Sequence, residues 1–121
     1  MNRMGIMIVP LSGSVEGKPI KITATKKPGI IIHIKKPKSK RWQEIWAWAI
    51  NKSRTKVILN VELCNAYGTV AEHKFEIPIN SIPTNIAAGI LYTEPFIMRA
   101  VVSKPGVVSI TGYVNQFKGE K

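Results

Sequence analysis

The stretch Thr55 to Leu63 places Val57, Leu59, Val61 and Leu63 on alternate positions, with Lys56, Asn60 and Glu62 between them. A period of two is the signature of a strand with one buried face. Nearly every apolar run in the chain is short, alternating and rich in β-branched or aromatic residues. Ile20, Ile22 and Ala24 alternate with Lys21, Thr23 and Thr25, and Ala71, His73, Phe75 and Ile77 alternate with Glu72, Lys74 and Glu76. No run sustains helical periodicity. The spacing predicts strands at 4–9, 19–25, 30–35, 43–50, 55–63, 70–79, 90–92, 96–102 and 107–114. Ile30-Ile31-Ile32 is apolar on both faces, which suits a central strand or one covered by a neighbour. Ser81–Gly89, with Pro83, Asn85 and Gly89, is the one place for a helical turn.

The connections carry turn chemistry. Lys27-Pro28-Gly29 and Lys104-Pro105-Gly106 set proline before glycine, as a type II turn requires. Asn65-Ala66-Tyr67-Gly68 reads as a short hairpin loop, and Asn51-Lys52-Ser53-Arg54 as a polar connection. Short antiparallel strands at regular spacing predict an all-β fold, an antiparallel β-sandwich of jelly-roll or immunoglobulin-like kind with about eight strands. A five-stranded OB-type barrel has too few strands. With 121 residues, no repeat and no linker, one domain is expected. Residues 1–17 form an N-terminal arm or first strand, 18–116 the sandwich and 117–121 a tail. The apolar run near the start is too short for a signal peptide and meets Pro10. The uncharged stretch Ile77 to Thr93 contains Pro78, Asn80, Pro83 and Asn85, so no membrane span is expected.

The net charge is +11, and it is local. Lys18, Lys21, Lys26, Lys27, Lys35, Lys36, Lys38, Lys40, Arg41, Lys52, Arg54 and Lys56 crowd one segment whose only acid is Glu44. Elsewhere basic and acidic residues cancel. Such a field attracts an anionic partner, whether nucleic acid, anionic lipid or an acidic protein surface. The plainer alternative is a solvated face that keeps the protein soluble.

The residue types argue against catalysis. The chain has no aspartate, two histidines and one cysteine. No serine sits in a nucleophile elbow, no ligand pair has zinc spacing, and there is no glycine-rich phosphate loop. The seven glutamates stand singly. No catalytic residue, metal or cofactor is expected. His33 and His73 are expected as partly buried, hydrogen-bonded core residues, and Cys64 as a buried inert thiol.

One constellation stands out: Lys35-Lys36-Pro37-Lys38-Ser39-Lys40-Arg41-Trp42, followed by Ile45-Trp46-Ala47-Trp48. Trp42, Glu44, Trp46 and Trp48 share one face of a regular strand. Indoles beside cations could stack on bases along a phosphate backbone. Alternatively, Trp46 and Trp48 are core anchors, the preferred reading, with Trp42 between core edge and interface. Pro37 breaks the strand, and the lysines read as a projecting arm or loop. Lysine in preference to arginine suits general electrostatic adhesion over base readout. Lys26, Lys27, Lys35, Lys36, Lys38, Lys40, Arg41 and Trp42 are therefore the expected partner-binding residues.

Loosely patterned features resemble the small virion proteins of tailed bacteriophages, of the capsid decoration (cement) type. These are Ile45-Trp46-Ala47-Trp48-Ala49-Ile50 closing on Asn51, Val57–Leu63 ending in Cys64-Asn65, Glu76-Ile77-Pro78 leading to Ile90-Leu91-Tyr92, and Val108-Ser109-Ile110-Thr111-Gly112-Tyr113-Val114. They span roughly Glu44 to Val114. The lysine-rich loop and extended N-terminus depart from the usual pattern and leave the position in the particle open. The resemblance implies a non-enzymatic structural protein on the capsid surface of a virion. It would be a homo-oligomer, a trimer about a local symmetry axis, bound to the major capsid protein or another virion protein. A tail, neck or spike component, a single-stranded nucleic-acid-binding module and a carbohydrate-binding sandwich with exposed tryptophans are the alternatives.

Overall fold

The computed structural model describes residues 5–36, 42–65, 68–79, 82–92 and 95–118. Nine strands are found among them: β1 (Gly5–Pro10), β2 (Ile20–Ile22), β3 (Ile30–Lys35), β4 (Trp42–Asn51), β5 (Val57–Asn65), β6 (Gly68–Ile77), β7 (Thr84–Tyr92), β8 (Phe96–Val102) and β9 (Val108–Lys118). All pairings are antiparallel. Sheet A runs β1-β9-β4-β7, with β2 also paired to β9, and sheet B runs β3-β8-β5-β6. Only β5 and β6 form a hairpin; from β2 onward every other connection crosses between sheets. These two strand orders are those of a jelly roll, two Greek keys folded over one another, and they exclude the immunoglobulin arrangement. β1 is paired along Tyr113–Lys118, so residues 5–10 are a strand of sheet A and residues 117 and 118 belong to β9.

The alternation read in the sequence becomes the core. Val57, Leu59 and Val61 of β5, with Met98, Ala100 and Val102 of the adjacent β8, form the core with Ile45, Ala47 and Ala49 of β4 and Val108, Ile110 and Val114 of β9 in the opposite sheet. Leu11, Ile20, Ile22, Ile32 and Ile77 close the sandwich around them. Alanines on the central strands make room for the branched residues opposite, as a layer about 10 Å thick requires.

One local expectation is corrected, and the alternatives left open for β3 are decided. Residues 84–92 are a strand, not a helical turn. The alternation is hidden because β7 is an edge strand with two register shifts against β4 and a left-handed Gly89 (φ +70°). At the irregularity the Asn85 Nδ2 donates to the Ala47 and Ala87 carbonyls, replacing ladder bonds that the bulge removes. The Lys27-Pro28-Gly29 turn has its glycine at φ +87°, and the Lys27–Pro28 peptide is cis. β3 is an edge strand rather than a central one. Its apolar run is covered by a neighbour: Gly13 donates to the Ile32 carbonyl, and a Cβ there would lie 2.1 Å from the Ile31 oxygen, so only glycine lets this segment close over the edge.

Candidate functional site

The tryptophans are where sequence and structure part most clearly. Gln43, Ile45, Ala47, Ala49 and Asn51 are the buried register of β4, so Trp42, Glu44, Trp46, Trp48 and Ile50 point outward from sheet A. Trp46 and Trp48 are half-buried on the outer surface and are not core anchors. Residues directly opposite one another in a sheet share a face. Trp42, Glu44, Trp46 and Trp48 therefore adjoin Phe117, Asn115, Tyr113 and Thr111 of β9, and Ile6 and Ile8 of β1 lie beyond them.

Together these residues form an aromatic sheet face. Trp46 and Trp48 lie nearly parallel, with ring centroids 6.3 Å apart and 21° between planes. Tyr113 follows at 6.3 Å from Trp48 with a 34° tilt. Trp46 lies against the backbone of β7 at Gly89, where a Cβ would come within 2.8 Å of its Cζ2. Trp42 is 50% exposed, Ile6 62% and Ile8 71%. Glu44 sits among the rings. Its Oε1 accepts from the Trp46 Nε1 at 2.8 Å and from the Asn115 Nδ2 at 2.9 Å. Those two bonds, the indole's first, hold its carboxyl below the usual carboxylate range. Among the described residues this face carries no cation except Lys21, at the corner where β2 meets Ser109.

The outer face of sheet B is the opposite in character. Glu62 is buried, and the Lys27 ammonium lies 2.7 Å from it and 2.9 Å from Glu72. Thr69 Oγ1 donates to Glu62 and Asn60 Nδ2 to Glu72. These bonds hold Lys27 well above its ordinary value, Glu62 contributing most. They hold Glu72 below its own, Asn60 contributing first and Lys27 next. Arg99 stands opposite Glu62, and Lys56 reaches Glu76 at 3.9 Å. Charges on this face neutralise one another locally.

The described members of the expected partner-binding set lie in different settings. Lys26 and Lys36 are exposed, Lys27 is spent on Glu62 and Glu72, and Trp42 belongs to the aromatic face. Lys38, Lys40 and Arg41 lie outside the described residues. Lys35 is corrected outright: the bulge between Ile31 and His33 turns it inward, and at 1% exposure it lines a pocket of about 240 Å³ with Ile34, Cys64 and Phe96. A separate group of cations does assemble. The β4–β5 and β8–β9 connections meet at one end of the sandwich, where Lys52 N–H bonds the Val107 carbonyl and Ser103 N–H that of Ile58. Asn51 ties the same end to Ile77 and Thr55. Lys52, Arg54, Lys56 and Lys104 are all exposed there, and Glu76 is the one carboxylate bridged to any of them among the described residues.

The histidines divide. His33 is buried, its Nδ1 accepting from Ser12 N–H and its Nε2 donating to Gln43 Oε1, which fixes the neutral tautomer; burial lowers its pKa. His73 is exposed, because β6 is an outer strand whose inward face there lacks cover. Among the described residues no group of three histidine, cysteine or acidic side chains could hold a metal ion. Among the described residues no helix is long and apolar enough to cross a membrane. Compared with protein-family models and with curated proteins, the sequence matches none of either.

Proposed function

We propose that this chain is a non-enzymatic structural protein of a viral particle, of the capsid decoration type, which docks end-on against an acidic surface of the major shell protein as part of a homo-oligomer, a trimer about a local axis. The observation that supports this reading is the partition of charge over the jelly roll. Sheet B pairs several of its charges and sheet A keeps cations from its centre, while a group of exposed cations gathers on the loops at one end of the sandwich. Lys52, Arg54 and Lys104 have no ion-pair partner among the described residues and present their charge outward. Exposed charge of one sign steers and orients a docking partner of the other.

The test is occupancy on intact particles. The triple variant Lys52→Ser, Arg54→Ser, Lys104→Ser should co-purify with particles at clearly lower copy number than the parent, with unchanged thermal stability. Undiminished occupancy overturns the electrostatic part, and failure of the parent to co-purify with any particle overturns the virion reading. A single-stranded DNA titration separates the nucleic-acid alternative, which requires affinity that falls steeply with salt.

A further inference from the structure

We propose that the outward face of sheet A is a binding site for a neutral saccharide, with Trp46, Trp48 and Tyr113 as the stacking platform and the free oxygen of Glu44, with Asn115, as the polar contact. This goes beyond the docking reading and uses a different surface.

The chemistry of the face selects the ligand. A pyranose ring has an apolar C–H face and a rim of hydroxyls. It therefore needs a flat aromatic surface with a few fixed polar atoms at its edge, the usual make-up of a small-molecule site. Trp46 and Trp48 provide two rings 6.3 Å apart at 21°, and Tyr113, opposite Trp46 on β9, adds a third ring 6.3 Å from Trp48. Gly89 lets the Trp46 indole lie against the β7 backbone. Glu44 is already oriented: both donors fall on Oε1. Oε2 has no partner among the described residues and is not among their buried unpartnered atoms, so it faces solvent as an acceptor for hydroxyl donors.

The distribution of charge argues against the other occupants. In a protein of net charge +11, the aromatic face has one carboxylate at its centre and one cation, Lys21, at its corner among the described residues. A phosphate backbone would meet Glu44 with no cation beside it. A second copy, joined about a two-fold axis through this face, would bury Glu44 against its own symmetry mate, and an unpaired buried carboxylate is costly. An uncharged partner rich in hydroxyl groups meets neither penalty.

The test applies the full chain to immobilised neutral oligosaccharides (cello-, manno-, chito-, malto- and xylo-series) and to acidic ones (heparin and hyaluronan fragments). Affinities are followed by intrinsic tryptophan fluorescence. At least one neutral series should bind and shift the emission, and its Kd should change less than about twofold between roughly 50 and 500 mM salt, since no ion pair forms. Trp48→Ala should weaken binding by about tenfold or more, the loss expected for a stacking ring. Glu44→Gln, which keeps size and shape, should weaken it measurably with thermal stability retained, and it carries the test should Trp48→Ala not fold. Failure of every neutral series overturns the proposal. So does binding confined to acidic fragments and abolished by salt, or a concentration-dependent dimer that Trp48→Ala converts to monomer.

Discussion

At the residue scale, the most consequential side chains are those whose surroundings admit one state only. His33 is an example. Its Nδ1 must stay unprotonated to accept the Ser12 N–H, and burial opposes a charge beside the Phe96 ring. The folded state therefore binds this proton less readily than the unfolded chain. Its contribution to stability is complete above pH about 6.5 and is lost as pH falls from there toward the lowered folded value, by up to about 1.4 kcal/mol per pH unit. Urea unfolding between pH 7.5 and 5 should show this slope, and His33→Gln should flatten it. Leu59, wholly buried between the sheets, should cost about 2–5 kcal/mol when replaced by alanine. Gly112 tolerates no side chain, because a Cβ would lie 2.1 Å from the Trp46 carbonyl oxygen and 2.8 Å from the Cα of the buried Ala47, so Gly112→Ala should lower the melting temperature.

At the scale of elements, most strands were legible from their short apolar runs. β3 and β8 have the bounds expected from periodicity, and β5 matches in its alternation. β7 was legible only at its end, Ile90–Tyr92, because bulges break the period of two and Asn85 and Gly89 make the rest read as a loop. The orientation of β4 was not legible for another reason. Alternation defines two faces but does not say which is inside, and side-chain bulk pointed to the tryptophans. The space between β4 and the opposing branched residues is filled by Ala47 and Ala49, and the indoles are left outside. Two members of the lysine cluster are placed where sequence proximity alone did not put them: a single bulge buries Lys35, and a turn carries Lys27 onto Glu62. That last contact supports a prediction on the β5–β6 ribbon. Lys27→Met should lower the melting temperature by leaving Glu62 buried without its cation, and adding Glu62→Gln should restore much of the loss.

At the scale of the whole molecule, almost every strand pair joins residues distant in sequence, β5–β6 alone being local. Refolding from urea should accordingly fall in the millisecond-to-second range, which stopped-flow fluorescence of the three tryptophans can follow. The division of labour between surfaces also belongs to this scale: a neutralised face, an aromatic face and a basic end, set apart by the folding of one jelly roll. The edge of sheet A has one more consequence. β9 is flanked on a single side by two short strands, β1 along Tyr113–Lys118 and β2 along Val108–Ile110. That border is a seam in two pieces, joined through a loop anchored by the buried Leu11. The two pieces are held by separate ladders, so loss of β1 alone would bare six consecutive backbone positions of β9 while β2 stayed paired.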